Sequence, residues 1–378
     1  MLQNTYRLFY YVKTGITDSI LNNAKDGILI TVKNHKRTLF FVILFTLITV
    51  SSGFASELDE RLELWEANAP YCNGYLSKVS WANPKNHCDD GDSVLFAGLL
   101  CGAGDDRGCE AVRQSLDSGG RWFRSPRRRE TNNDGNGNSV SPDMALGAQI
   151  YLAVKNEHGD AKRWFNWMVE NTPCSLTDRS CNLKGIPRFC TDDSEKGCTI
   201  FPNHLATLAE TRYKLGVQTG KGSRCPQPTR SLPEIWSLYM SPWHSSKGLY
   251  HLTDIACGAA STFNLKGAQL NDEGYPLHLV ATEIFLLRLM GRNDKNLDQS
   301  AETLVRRQPQ NPFFLFLRDG PTKEVLEKTL ALCPSNQDEI NQSRKIQWAW
   351  ERADSDHASK DSMIWDCIFM AKLLQGPF

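Results

Sequence analysis

Apolar positions recur at helical spacing along most of the chain, and strand-type alternation is scarce. Three segments are apolar nearly all round, which is typical of helices buried on every side: 144–154, 277–290 and 363–374. Others, such as 58–65 and 338–352, have a polar face. The two populations predict an all-α fold with an enclosed and a half-exposed layer of helices.

The enclosed helices begin alike, with polar groups directly ahead of the apolar run. Such beginnings occur at 90–92, 141–143, 203–204, 253–254, 278 and 361–362. Several lie about fifty residues apart, which leaves room for a helix, a loop and a returning helix. With outer candidates at 109–117, 159–170 and 233–240, the pattern predicts either a ring of six helical hairpins or a less regular helical domain.

The segment 39–50 (LFFVILFTLITV) is a short apolar run with basic residues before it and small residues after it. This order is typical of a secretory signal peptide, and the run is too short to favour a permanent membrane span. We therefore predict a leader over 1–55, a single helical domain over 56–378, and a secreted or periplasmic protein with no stable membrane span after cleavage.

All twelve cysteines follow this run, so the folded part would meet an oxidising compartment. No C-x-x-C pair occurs, which favours disulfides over zinc ligands. Cys72 with Cys88, and Cys101 with Cys109, are neighbours that could close short loops. Cys257 and Cys367 fall in apolar helical patterns and are predicted either to lie together or to be unpaired.

The formal net charge is 0 for the whole chain and about −4 without the predicted leader. A nucleic-acid-binding protein usually has a strong basic excess, so no nucleic-acid partner is expected. No P-loop, dinucleotide fingerprint, nucleophile elbow or H-E-x-x-H motif occurs. No cofactor is predicted on this basis.

Asp90, Asp92 and the segment 141–153 (SPDMALGAQIYLA) resemble helix openings in the (α/α)6-toroid carbohydrate-active enzymes, nearest the unsaturated glucuronyl hydrolase type. The resemblance covers two short segments and the helix layout. It implies a toroid of helical hairpins, and the cysteines, which fall in loops more than in helices, add the expectation that disulfides staple those loops. It also implies that aspartates at the N-terminal ends of inner helices line a central cleft.

Cleaving a glycosidic bond needs one carboxylic acid to protonate the leaving oxygen and a second carboxylate to act as base or nucleophile. Asp143, with Asp92 or Asp90, is the predicted pair. The alternative for Asp143 is a purely structural role, because Ser141, Pro142 and Asp143 also form a good helix start.

Asp366 is a further catalytic candidate because its predicted helix has almost no other polar group. A buried carboxyl there could serve as a proton donor. The alternative is a buried ion pair or hydrogen bond.

Substrate-binding candidates combine cationic and aromatic side chains, which hold acidic groups and stack on sugar faces. The predicted set comprises Arg121, Trp122, Arg124, His251, Trp348 and Glu351. A solvated basic loop is the alternative for the arginines.

The loop 132–143 (NNDGNGNSVSPD) partly matches an EF-hand-like calcium loop through Asn132, Asp134, Asn136 and Asp143. Asparagine at the first position and only two carboxylates depart from that pattern, and a flexible loop is the alternative.

These features together predict a glycoside hydrolase acting on a polysaccharide or oligosaccharide that is either neutral or acidic. One alternative is a polysaccharide lyase, with Arg121 neutralising a uronate carboxylate and Tyr250 or His251 removing a proton. The other is a glycan-binding or envelope-associated protein without catalytic activity.

Overall fold

In the computed structural model, helices account for most of the residues that the structure describes, as the apolar spacing predicts. The structure describes residues 57–76, 78–79, 88–131, 139–174, 184–192, 197–218, 220, 222–226, 230–342 and 364–376. These residues belong to one compact unit, Glu57–Phe378. The predicted leader and the residues Asn132, Asp134, Asn136, Trp348 and Glu351 lie outside the described residues.

The described helices are α1 (57–67), α2 (Ser93–Gly102), α3 (Asp106–Gln114), α4 (Pro126–Thr131), α5 (Pro142–Lys155), α6 (His158–Glu170), α7 (Pro202–Lys214), α8 (Leu232–Met240), α9 (Pro242–Ser245), α10 (Gly248–Ala256), α11 (Ala260–Leu270), α12 (Tyr275–Leu289), α13 (Lys295–Arg307), α14 (Pro312–Asp319), α15 (Lys323–Leu332), α16 (Gln337–Gln342) and α17 (Ile364–Gln375). Two small antiparallel pairs precede α2: β1 (Tyr71–Cys72) with β2 (Tyr75–Leu76), and β3 (Lys78–Val79) with β4 (Cys88–Asp89).

Helices buried on nearly every side are a confirmed feature. α5, α12 and α17 bury most of their side chains. Among the described elements, α12 contacts α2, α5, α7, α11, α13 and α14. Its Phe285 packs edge-on against Phe313 of α14 and Phe369 of α17. In contrast, α3 and α13 are amphipathic and leave their charged faces to solvent.

These contacts do not establish a closed ring of six hairpins. In a ring, each inner helix mainly contacts two inner neighbours, whereas α12 contacts α2, α5 and α7 together. The ring of six hairpins therefore stays a prediction. α12 contacts more helices than an inner helix of such a ring would need to contact.

α2 and α5 cross closely at two glycines. A Cβ added to Gly98 would overlap the Gly147 backbone, and one added to Gly147 would overlap the Val94 carbonyl group. Only glycine lets the two backbones approach this closely. The crossing fixes the start of α5, where Asp143 lies.

Four disulfides have both cysteines among the described residues: Cys101–Cys109, Cys190–Cys198, Cys225–Cys257 and Cys333–Cys367. The predicted Cys101–Cys109 pair is confirmed.

Cys72 is also disulfide-bonded. The Cys88 side chain lies outside the described part, so the Cys72–Cys88 pairing stays a prediction. Cys257 and Cys367 were expected either to lie together or to be unpaired, and this prediction is wrong. Cys257 bonds to Cys225, and Cys367 bonds to Cys333.

Among the described residues, no helix combines the length and apolar character that a membrane-spanning segment requires.

Candidate functional site

A cavity of about 390 Å³ lies where three helices begin. Pro142 and Asp143 line it from the start of α5, Asn203 and His204 from the start of α7, and Pro276 from the start of α12. The first backbone N–H groups of a helix have no partner within the helix, and the N-terminal end carries a partial positive charge. The cavity is therefore suited to polar or anionic groups.

Asp143 is held in place by two hydroxyl groups. The Tyr275 hydroxyl donates to its Oδ2 atom at 2.5 Å, and the Ser141 hydroxyl donates to its Oδ1 atom. Both carboxyl oxygens thus accept hydrogen bonds from hydroxyl groups. The arrangement orients the Asp143 carboxyl group at the cavity wall.

Glu283 is a second carboxyl group on the same cavity. It lies two turns into α12, is half-buried, and accepts a hydrogen bond of 2.9 Å from the Asn264 amide. Burial raises its pKa to about 7, although the Asn264 hydrogen bond acts in the opposite direction. At neutral pH a substantial fraction of Glu283 is protonated, so it can donate a proton.

His204 contributes a neutral imidazole to the cavity. Burial lowers its pKa to about 4, against the opposing effects of the Asp143 charge and a hydrogen bond with the Thr199 backbone. The Phe201 backbone N–H donates to its Nδ1 atom at 3.2 Å. The ring is uncharged at neutral pH and can hydrogen-bond a ligand without adding a positive charge.

The rim of the cavity is apolar and partly aromatic. Trp236 is 40% exposed and Leu270 is 77% exposed, and Phe263 lines the wall beside them. Lys266 is exposed at the same rim. An exposed indole at a cavity that two carboxyl groups also line is suited to stacking on the apolar face of a sugar ring.

The predicted partners of Asp143 lie elsewhere. Asp90 is buried and accepts hydrogen bonds from Ser125, Arg127 and Arg128, forming ion pairs with both arginines. Asp92 begins α2 in a left-handed conformation, with φ of 56°. Neither aspartate occurs among the described residues that line the cavity.

Asp366 is also separate from the cavity lining that the structure describes. It is 4% exposed in the first turn of α17, within the core near the Cys333–Cys367 disulfide. The prediction that Asp366 is buried is confirmed. Because its carboxyl group is enclosed in the core, it cannot donate a proton to a substrate in the cavity.

The predicted substrate-binding cluster around 121–124 is part of the protein framework. Trp122 is fully buried and packs edge-on against Tyr151 and Trp164, so a sugar cannot stack on its ring. Arg121 forms an ion pair of 2.7 Å with Asp192, and Arg124 is only 9% exposed.

His251 lies outside the described cavity lining and pairs with another histidine. Its Nε2 atom is 2.9 Å from the Nδ1 atom of His244, and the ring planes are nearly parallel, at 3°, with centroids 5.2 Å apart.

Predictions for Trp348, Glu351 and most of the calcium loop fall outside the described residues. Asp143, the last residue of that loop, faces the cavity and bonds to hydroxyl groups.

Sequence reasoning missed Glu283. The available signal was a single acidic residue within the apolar run 277–290, which is the same signal that selected Asp366. His204 and Asn203 were found as a helix beginning, but their cavity position follows only from the packing of α5, α7 and α12.

Comparisons with protein-family models, curated proteins and solved structures found no match to this chain.

Proposed function

We propose that this protein is a glycoside hydrolase in which Glu283 is the general acid and Asp143 is the base or nucleophile. The supporting observation is that two carboxyl groups with different environments line one cavity. Burial raises the pKa of Glu283, whereas Asp143 accepts hydrogen bonds from two hydroxyls. Paired carboxyls with one kept protonated are what glycosidic cleavage requires.

The rest of the cavity supports a carbohydrate substrate. Trp236 offers an exposed ring for stacking, and Asn203 and neutral His204 offer hydrogen-bonding groups for hydroxyls. The volume of about 390 Å³ lies within the range of small-ligand sites. A cavity of this kind suits a sugar ring bound between an aromatic rim and a polar floor.

The (α/α)6 toroid remains part of the proposal. Its support is that α5, α7 and α12 begin at one cavity, as inner helices of a toroid would. Secretion is likewise proposed, supported by the apolar run 39–50 and the disulfides, which persist in oxidising compartments.

The two alternatives receive less support from the site. The three residues proposed for a lyase are not among the described residues that line the cavity. Arg121 pairs with Asp192 instead. Tyr250 stacks on Phe165, and His251 pairs with His244. A glycan-binding protein without catalysis would not need the acid and base environments of Glu283 and Asp143. Both alternatives are outcomes of the experiment below.

The test is incubation of the full-length protein with a panel of neutral and acidic glycans, followed by product analysis. We expect hydrolysis products that lack an unsaturated sugar. Glu283→Gln and Asp143→Asn should each lower turnover by roughly 100- to 10,000-fold while the protein stays folded.

A matched control is Asp106→Asn, which changes an exposed carboxylate paired with Lys155 on the surface. It should leave turnover unchanged. Products that absorb in the ultraviolet as unsaturated sugars would indicate a lyase. Glycan binding with no product at any pH would indicate a binding protein, and either result would overturn the proposal.

A further inference from the structure

A pair of histidines lies outside the cavity and outside the proposed chemistry. His244 is on α9 and His251 is on α10, and a two-residue turn, 246–247, connects α9 to Gly248, the first residue of α10, which has φ of 81°. The His244 Nδ1 and His251 Nε2 atoms are 2.9 Å apart, and both side chains are half-buried. One proton is therefore shared between two nitrogen atoms that face each other at the surface.

We propose that His244 and His251 together bind a divalent transition-metal ion such as Zn²⁺ or Cu²⁺. Imidazole nitrogen is a preferred ligand of these ions. With Zn–N bonds near 2.0–2.1 Å, two tetrahedral nitrogen ligands lie about 3.3 Å apart. The observed spacing is about 0.4 Å shorter than this value, so metal binding requires the two nitrogens to separate slightly and both rings to turn until their lone pairs converge on the ion.

A metal ion binds imidazole nitrogen only where that nitrogen carries no proton, so the ion competes with the proton that the two rings share. Lys247 is directed onto the Trp243 ring, with its Nζ atom 4.5 Å from the ring centroid.

The site has two protein ligands. Asp254 follows His251 by three residues on α10, but it forms an ion pair of 2.9 Å with Arg212 and accepts a hydrogen bond from Tyr213. No group of three or more metal-ligating side chains is found in the part of the chain that the structure describes. Water completes the coordination, so binding is reversible and open to small anionic ligands.

The test uses the full-length chain without an affinity tag. Calorimetric titration with Zn²⁺ should show one bound ion per chain. His244→Asn and His251→Asn should each weaken binding by at least about tenfold, which corresponds to about 1.4 kcal/mol. The electron paramagnetic resonance spectrum with one equivalent of Cu²⁺ should show coupling to two imidazole nitrogens, reduced to one in each variant.

His158→Asn is the control, because His158 is an exposed histidine on another helix and its Nδ1 atom lies 2.6 Å from the Leu215 carbonyl oxygen. It should bind metal as the unchanged protein does. Thermal unfolding of the three variants should also be measured without metal. Unfolding temperatures equal to that of the unchanged protein would show that weaker binding reflects a lost ligand and not a disrupted fold. Absence of saturable binding, or binding that persists in both His244→Asn and His251→Asn, would overturn the proposal. Neither result depends on glycan hydrolysis.

Discussion

His204 links the burial of one residue to the stability of the fold. Burial lowers its pKa from 6.5 to about 4. Between these values the unfolded chain binds a proton that the folded protein does not bind, so the free energy of unfolding increases with pH. The contribution is fully present above about pH 6.5 and is lost as the pH falls toward 4.

We therefore predict that acidification from pH 7 to 4.5 destabilises the protein more than it destabilises His204→Asn. The difference should be on the order of 2 kcal/mol, because one unit of pKa shift is about 1.4 kcal/mol and the site is not fully enclosed. Urea unfolding at the two pH values measures it. Equal pH dependence in the unchanged protein and His204→Asn would contradict the assignment.

Single residues also show where sequence reasoning succeeds. Asp143 was selected because it opens an apolar helix, and the structure places it at a cavity. Asp90 was selected for the same reason but is buried in ion pairs with Arg127 and Arg128. The two aspartates have similar local sequence context, so only tertiary packing distinguishes the cavity residue from the ion-paired residue.

The α2–α5 crossing determines how the elements around the cavity meet. In an isolated helix, alanine is favoured over glycine by up to about 1 kcal/mol. At Gly147, however, a methyl group would overlap the Val94 carbonyl of α2. Replacing this glycine by alanine should therefore destabilise the protein instead of stabilising it.

We predict that Gly147→Ala lowers the free energy of unfolding by about 1–3 kcal/mol, the usual cost of overfilling a packed site. Gly159→Ala is the matched control. Gly159 is exposed in the first turn of α6, and its added Cβ would meet only the end of Arg163 at 3.9 Å. This control should be neutral or slightly stabilising by denaturant unfolding. A stabilising Gly147→Ala would refute the close crossing.

Helix positions were predicted well where the apolar pattern is continuous. The predicted run 277–290 corresponds to α12, Tyr275–Leu289, and 159–170 corresponds to α6, His158–Glu170. The predicted helix 109–117 is displaced from α3, Asp106–Gln114, because the Asp105 side chain caps the N-terminus by accepting from the Arg107 N–H. Local capping therefore decides boundaries that periodicity leaves open.

At the scale of the whole molecule, disulfides join segments whose proximity the sequence does not reveal. Cys225–Cys257 and Cys333–Cys367 each connect a loop with a distant helix end or helix. Pairing each cysteine with a near neighbour in the sequence predicted Cys101–Cys109 correctly. The same reasoning cannot predict the other two disulfides, because their cysteines are far apart in the sequence. Fold class was predictable from hydrophobic periodicity, whereas the packing of α12 against α2, α5 and α7 depends on contacts that periodicity does not encode.

The central claim is that Glu283 acts as a protonated acid in the cavity that Asp143 also lines. The most direct measurement is the pH dependence of kcat/KM on the hydrolysed glycan. Since burial raises the pKa of Glu283 to about 7, activity should decline above that pH as the acid ionises.

Glu283→Gln should retain turnover only of aryl glycosides, whose leaving groups need no protonation, and should show no decline at alkaline pH. A profile that stays flat through pH 8, or a decline that persists in Glu283→Gln, would contradict the account.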